Sequence, residues 1–326
     1  MTYSKTVVLP VTPDEAFALI TEPERLRRWM TVTAYVDLRA GGDYRWTVSP
    51  GHRAGGTVRE VEPGRRVVLG WGWVGDATPD VDGSTVILTV EPDDNGSRVT
   101  LVHEGLTPEE EAGHAEGWAH FLERLEAAGA TGDAGQDPWH WAPKDLTPVV
   151  AAEAALAAIQ PVLRAITDAD AERRTPCPEL PVGLLVDHLE TSMAGLGAMA
   201  GATVERTEGS AEHRVSTVAA QTITAWHAID PDGTVEGPVG EMPASVAAAL
   251  LSAEILLHGW DLAEAMGLTV RVSDEVVGYI RGLSEPILPT ARGRSFADEV
   301  PAAADAPPLD RFAAFAGRPK PVPVAG

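Results

Sequence analysis

The chain has 326 residues, enough for two domains of ordinary size. Its 48 acidic and 25 basic side chains give a formal net charge of −23, which argues against nucleic acids and anionic membranes as partners. The single cysteine, Cys177, excludes an internal disulfide and is typical of a reducing cytoplasm. Residues 1–10 lack a basic leader followed by an apolar run, and no uninterrupted apolar stretch reaches ~18 residues. We therefore expect a cytoplasmic protein with no membrane span.

The first part of the chain, residues 1–130, predicts a mixture of strands and helices. An alternating strand at 4–9 precedes a helix that begins at Thr12-Pro13, where Thr12 caps and Pro13 takes the first helical position. Further strand candidates, each bounded by turn residues, are 32–38, 43–48, 55–61, 66–74, 84–91 and 97–104. A long helix at about 108–128 follows. This order predicts an α+β helix-grip fold, in which a curved antiparallel sheet wraps the long helix around an apolar cavity.

Three tryptophans are candidates for the wall of that cavity. Trp71 and Trp73 are two residues apart on one predicted strand, so they share a face, and Trp46 lies on an earlier strand. An aromatic wall suits an apolar or planar ligand, while ordinary core packing is the alternative. His103 and His114 could bind the polar end of such a ligand, although no spacing requires it.

The second part of the chain predicts helices. A Gly-rich polar stretch separates the two parts, and we place the linker at residues 131–146. Four amphipathic helices then suggest an all-α four-helix bundle over residues 147–267: about 148–167, 181–200, 210–229 and 243–267. Residues 268–326 form a short C-terminal extension, with one helix at about 273–285 and an extended proline-rich end.

The chemistry-bearing residues lie on two of these helices. Glu254 and His258 are four residues apart and share a helix face with Leu251 and Leu262, so both should face the core. A buried carboxylate is costly unless it is paired or bound to a metal. His188 also lies on a mostly apolar face. Two histidines and a carboxylate in a bundle core are a usual set for catalytic zinc and other divalent ions. A simple Glu–His core pair, with His188 unrelated, is the alternative.

Several other polar residues in the second part of the chain have two possible interpretations. Asp261 is either an acceptor behind a ligand histidine or an ordinary polar residue. Cys177 precedes a helix, which can lower a thiol pKa, but its place between two prolines favours a packing role. His227 is interpreted as a partly exposed helix histidine, and Asp187 and Glu190 as solvated.

The first 128 residues resemble the SRPBCC (START-like) superfamily, in the branch of the heat-shock-protein ATPase activator homologues. The resemblance rests on segments 21–29, 56–67 and 118–125. It implies the helix-grip fold more than a function, and it should not be taken as a chaperone role. Many single-domain members bind small molecules.

Residues 147–320 resemble the DinB/YfiT-like metalloenzymes, in particular the mycothiol-dependent maleylpyruvate isomerases. The resemblance rests on segments 175–180 and 254–263 and on the tail at 305–318. It implies that His188, Glu254 and His258 bind a divalent metal, with zinc expected first and nickel, iron or manganese as alternatives. It also implies mycothiol as the thiol cosubstrate. In such a site, a metal with an open position lowers the pKa of the thiol that binds to it.

Three interpretations of the whole protein follow. The favoured one is a metal-dependent thiol transferase or isomerase for a small electrophilic substrate, whose START-like domain binds or shields an apolar ligand. The second is a non-catalytic small-molecule-binding or stress-response protein with a structural or vestigial metal site. The third is a regulatory factor that acts on a partner protein. The sequence assigns no catalytic side chain and no oligomeric state.

Overall fold

The structure is a computed structural model that describes residues 1–75, 77–177, 179–237, 240–293 and 296–320. The chain divides into two compact units, Met1–Gly135 and Gln136–Gly326. Pro178, beside the cysteine, and the last six residues of the predicted extension lie outside the described residues.

The described part of the first unit contains a seven-stranded antiparallel sheet. Its strands agree closely with the sequence prediction: β1 Thr2–Leu9, β2 Thr33–Val36, β3 Asp43–Ser49, β4 His52–Glu62, β5 Arg66–Trp73, β6 Ser84–Asp93 and β7 Gly96–Glu104. The spatial order is β1-β7-β6-β5-β4-β3-β2, so consecutive strands from β2 to β7 are neighbours and β1 pairs with β7.

The helices of this unit are α1 Pro13–Thr21, α2 Pro23–Leu26 and α3 Pro108–Thr131. Thr12 caps α1, and Thr107 forms a capping box with Glu110 at the start of α3. The apolar side of α3 joins one hydrophobic core with the sheet through Trp118, Phe121 and neighbouring leucines. The sheet and its packed long helix fit the expected helix-grip fold.

The second unit is mostly helical, as predicted. Its helices are α4 Pro138–Trp141, α5 Pro148–Ala165, α6 Val182–Met199, α7 Ala211–Trp226, α8 Ala244–Met266, α9 Asp274–Ser284 and α10 Pro308–Phe315. Two short strands, β8 Thr234–Gly237 and β9 Gly240–Pro243, pair antiparallel. Helix α5 packs against α8 and α7, and α6 packs against the same two helices, so these four helices surround a common interior.

The sequence analysis missed several short elements. Helix α4 lies inside the predicted linker, where Asp137 caps it by accepting from the backbone N–H of Trp139. Helix α10 lies in the end predicted to be extended. Its Pro308 occupies the first helical turn, where a missing N–H costs nothing, so a proline-rich sequence begins a helix there.

The contact between α5 and α8 depends on a glycine. A Cβ at Gly259 would lie 2.0 Å from Cγ2 of Ile159, so only glycine allows this approach. Among the described residues, α5 and α8 are long and apolar enough to cross a membrane by length and composition. However, 67% and 83% of their apolar windows are buried inside the structure, as in the core helices of a folded unit.

Candidate functional site

Three side chains predicted as metal ligands come together in the second unit. His188 projects from α6, and Glu254 and His258 project from successive turns of α8. Nε2 of His188 lies 3.3 Å from Oε1 of Glu254, and Nε2 of His258 lies 3.2 Å from the same oxygen. The packing of α6 on α8 thus adds a third donor to the Glu-x-x-x-His pair.

The spacing of these donors fits a divalent ion. Ligand atoms placed tetrahedrally at the ~2.0–2.1 Å typical of zinc lie roughly 3.3 Å from each other. Both imidazole nitrogens lie at about that distance from the Glu254 oxygen. One donor atom from each residue lies within 4.8 Å of the others, and the described residues contain no other group of three that meets this criterion. Two imidazoles and a carboxylate are also a suitable donor set for zinc, nickel, iron or manganese.

The cluster is open on one side. The exposed fraction of the side chain is 43% for His188, 17% for Glu254 and 6% for His258. Leu184, one turn before His188 on α6, is 53% exposed. Solvent therefore reaches the cluster at its His188 side.

The exposure of His188 corrects the expectation that it faces the core. The buried stripe of α6 runs through Leu185, Leu189 and Met193, which follow each other at intervals of four residues. His188 precedes Leu189 and is rotated by about 100° from it, so it lies at the edge of that stripe.

The electrostatics of the cluster favour an ion pair. Burial alone would raise the pKa of Glu254, but the charge of His258 and hydrogen bonds from His188, His258 and Ser192 hold that pKa well below its usual range. Burial likewise opposes a charged His258, yet Glu254 and Asp261 raise its pKa to about 9. A bound metal would displace the proton from this imidazole, since a ligand histidine must be neutral.

Asp261 lies behind His258, at the position considered from the sequence. Its Oδ2 is 3.1 Å from Nδ1 of His258 and accepts a hydrogen bond from Nε of Arg318 at 2.8 Å. The Asp261 carboxylate is fully buried. In the sequence analysis Arg318 belongs to the tail at 305–318 and has no assigned role, because no local spacing links it to α8.

Cys177 is half-buried beside the same group of charges. Burial raises the pKa of its thiol, and the negative charge of Asp261 adds to the increase. The thiol is therefore protonated at neutral pH, which agrees with a packing role rather than a nucleophilic one.

Two buried acidic residues in the second unit were not predicted from the sequence. Glu190, predicted to be solvated, is 2% exposed and forms an ion pair with Arg214, which also pairs with Asp187. Nε2 of His227 lies 2.7 Å from Oε1 of Glu153, whose side chain is fully buried. The sequence analysis did not single out Glu153, because periodicity predicts a buried position but not the partner that makes a charge tolerable there.

The first unit contains a cavity of about 480 Å³, lined from β5 by Trp71 and Trp73 and from α3 by His114, Trp118 and Phe121. The two β5 tryptophans share a face, as their spacing predicts. Trp46 is placed differently. It is 3% exposed, packs edge-on against Trp71 with ring centroids 5.9 Å apart, and is absent from the lining. It therefore belongs to the core behind the cavity.

His103 accepts a hydrogen bond from a tryptophan of the protein and is not available to a ligand. Nε1 of Trp118 donates to Nδ1 of His103 at 3.0 Å, so the proton of the neutral imidazole lies on Nε2. That nitrogen is 2.8 Å from Oγ of Ser84, which in turn donates to the backbone oxygen of Trp71. Both ring nitrogens of His103 are used inside the protein.

His114 plays the same part for the next indole. Nε1 of Trp71 donates to Nε2 of His114 at 3.3 Å, and Nδ1 of His114 lies 2.8 Å from the backbone oxygen of Glu110. Burial and the neighbouring His114 lower the pKa of His103 to about 3, and burial also lowers the pKa of His114. Both imidazoles are neutral, and they leave Trp71 and Trp118 with no indole N–H for a ligand.

A family model and two curated relatives match parts of the chain. The family model described as "Activator of Hsp90 ATPase homolog 1-like protein" matches residues 10–130. Two uncharacterized Mycobacterium tuberculosis proteins, Rv0738 of strain H37Rv and MT0763 of strain CDC 1551, are each 33% identical over 154 residues. The match covers 44% of this chain and 82% of each relative.

Solved structures also match part of the chain. An AHSA1-like protein from Rhizobium etli is 34% identical, with 45% of this chain and 92% of that chain covered and a TM-score of 0.37. DynU16, from the dynemicin biosynthetic locus, is 22% identical, with 45% and 57% covered and a TM-score of 0.39. This chain thus spans little more than half of DynU16.

Proposed function

The chain belongs to the family of the Mycobacterium tuberculosis protein Rv0738 and has an AHSA1-like domain at residues 10–130, and from the donor cluster of its second unit we propose that it is a divalent-metal-dependent thiol S-transferase or isomerase for a small electrophilic substrate. The observation that carries the proposal is the convergence of His188 and His258 on one oxygen of Glu254. Zinc suits this donor set, with nickel, iron or manganese as alternatives. A DinB-like bundle, a mycothiol-type cosubstrate and a cytoplasmic location are parts of the proposal supported by the resemblance of residues 147–320 and by the single cysteine.

Each residue of the cluster has a defined part in this proposal. A divalent ion with an open position lowers the pKa of a thiol or water that binds to it. His188 and His258 offer Nε2 and Glu254 offers Oε1, while Asp261 orients the His258 ring. The exposed side, at His188 and Leu184, is the approach for the cosubstrate. The nucleophile comes from that cosubstrate, because burial raises the pKa of Cys177.

Metal content of the purified full-length chain tests the proposal. We expect about one equivalent of zinc in the wild type and little in His258→Ala or Glu254→Gln, since a site with two donors binds weakly. His120→Ala, in the first unit, is the matched control and should keep the metal. Full occupancy in both cluster variants would refute the site. A wild type that holds zinc but transfers no thiol to any electrophile would favour a structural metal in a non-catalytic protein.

A second function is supported by the cavity of the first unit. We propose that it binds a flat, apolar small molecule, because its wall is aromatic and the indole N–H groups of Trp71 and Trp118 are occupied by histidines. Its volume of about 480 Å³ lies within the usual range for small-molecule sites.

A neutral naphthylamine dye tests the cavity. The dye should bind the full chain, and Trp73→Ala should weaken binding by about tenfold, roughly the 1.4 kcal/mol expected for loss of part of an aromatic contact. Trp139→Phe, in the second unit, removes an exposed tryptophan and should leave dye binding unchanged. Equal affinity in Trp73→Ala and the wild type would contradict the proposal.

A further inference from the structure

We propose that Arg318, in the C-terminal segment that follows α10, is a positioning residue of the candidate metal centre and fixes the ring of His258 through Asp261. The inference rests on the proposed metal site but concerns a residue outside the ligand set. It assigns a role to the end of the chain, which the sequence analysis treated as an extension.

A chain of polar contacts connects Arg318 to the cluster. Nε of Arg318 donates to Oδ2 of Asp261 at 2.8 Å, and the same oxygen is 3.1 Å from Nδ1 of His258. Because an arginine side chain only donates, Asp261 is the acceptor in both contacts, and Nδ1 of His258 carries a proton. The lone pair of the neutral ring is then on Nε2, the atom that lies 3.2 Å from Glu254.

Burial makes this arrangement depend on Arg318. The side chain of Asp261 is fully buried and that of Arg318 is 10% exposed. A buried carboxylate is costly unless a cation pairs with it. Oδ1 of Asp261 has no hydrogen-bond partner among the described residues, so the partners of this carboxylate converge on Oδ2. Without Arg318, the orientation of Asp261 would be held mainly by the ring that it is meant to orient.

A turn at the C-terminal end of α10 places Arg318 in this position. Gly317 follows α10 with φ of +81°, and the N–H groups of Gly317 and Arg318 bond to the oxygens of Ala314 and Ala313 at 3.0 Å each. This is the Schellman pattern, which needs a left-handed residue at that point. A Cβ at Gly317 would also lie 2.7 Å from the backbone oxygen of Ala297. The turn therefore requires glycine at position 317, and it fixes the backbone position of Arg318.

A second anchor holds the same segment to α8. Nε1 of Trp260 donates to Oδ1 of Asp310 at 2.9 Å, and Lys320 pairs with the other oxygen of Asp310 at 2.6 Å. Trp260 directly precedes Asp261 on α8. Two consecutive residues of this helix therefore contact the C-terminal segment, Trp260 at Asp310 and Asp261 at Arg318. Because Lys320 is 60% exposed and its amino group pairs with Asp310, it offers a control for general attachment of the segment.

Zinc affinity of the full chain, measured by competition with a chelating dye, tests the inference. Arg318→Gln should weaken zinc binding by about 10- to 100-fold, the usual cost of losing the support behind a ligand histidine. Arg318→Lys keeps a charge but not the geometry and should lie between Arg318→Gln and the wild type. Lys320→Gln should bind zinc like the wild type. If Arg318→Gln does not fold, as judged by circular dichroism, Arg318→Lys decides, and wild-type affinity in that variant would overturn the inference.

A spectroscopic readout separates this inference from the metal proposal. The Nδ1 proton of His258, held by Asp261, should give a slowly exchanging imidazole resonance in the wild type with or without zinc. Arg318→Gln, or Arg318→Lys if the former is unfolded, should shift or lose that signal. A wild type that binds no zinc would defeat the proposed function, and the resonance would then decide the inference alone. An unchanged resonance and unchanged zinc affinity would overturn the inference and leave the metal site intact.

Discussion

Nε2 of His188, on α6, lies 3.3 Å from Oε1 of Glu254, on α8. This contact joins two helices that are distant in sequence. It turns a Glu-x-x-x-His spacing, which any amphipathic helix can contain, into a group of three donors. It also defines the open side of the cluster, because His188 is the most exposed of the three.

The two histidines should differ in their effect on stability. In zinc-free protein, His258→Ala leaves the Glu254 carboxylate without its main cation and should lower the free energy of unfolding by roughly 2–4 kcal/mol. His188→Ala removes an exposed partner and should cost less than about 1 kcal/mol. Urea unfolding followed by far-ultraviolet circular dichroism measures both. Equal losses would show that the exposure of His188 does not govern its contribution.

The stability of the first unit should depend on pH through its neutral histidines. The pKa of His103 is lowered to about 3 in the folded state, from about 6.5 when unfolded, so the unfolded chain binds more protons in between. The free energy of unfolding should therefore be highest above pH ~6.5. It should fall by up to about 1.4 kcal/mol per pH unit as the pH drops toward 3. Tryptophan fluorescence during urea unfolding at several pH values measures this slope.

His103→Gln is the informative variant for that experiment. It removes the titrating ring. Between pH 6 and 4, the free energy of unfolding should therefore change less steeply with pH, by the contribution of one bound proton. His120→Gln, on α3, is the control and should retain the wild-type slope. A slope that is unaffected by His103→Gln would mean that other groups govern acid unfolding.

Gly259→Ala should destabilise the second unit. The added methyl group would meet Cγ2 of Ile159 at 2.0 Å, and overpacking of this kind typically costs about 1–3 kcal/mol. Ile159→Ala removes the opposing methyl group, so the double variant should be less destabilised than the sum of the two single variants. Thermal unfolding of the four proteins gives this coupling. Strict additivity would contradict the close approach of α5 and α8.

A fragment of residues 1–135 should fold and be more stable than a fragment of residues 1–130. Beyond residue 130, Gly132 ends α3 in the left-handed conformation, Ala134 donates to the backbone oxygen of Arg28, and Gly135 accepts from Arg124. Loss of these contacts should lower the melting temperature by about 4 °C for each kcal/mol lost, the value between those of 100- and 150-residue domains. Equal melting temperatures would favour the shorter boundary.

Local patterns in the sequence were sufficient for the strands, the long helices and the pairing of Glu254 with His258. Period-two alternation, turn residues and helix caps act within a few residues, so they can be recognised without the fold. The shared face of Trp71 and Trp73 follows from the same reasoning.

Features that depend on packing could not be predicted in this way. The exposure of His188 depends on which stripe of α6 faces the interior, and the burial of Glu190 depends on Arg214 from another helix. Arg318 reaches Asp261 only because α10 docks on α8. Trp118 and His103 likewise meet across the interface of α3 with the sheet.

The most direct measurement is an anomalous difference map, at the zinc absorption edge, from crystals of the zinc-loaded full chain. The account predicts one strong peak at about 2.0–2.2 Å from Nε2 of His188, Oε1 of Glu254 and Nε2 of His258. Absence of a peak at these atoms, or a zinc ion held by other residues while His258 contacts only Glu254 and Asp261, would contradict it.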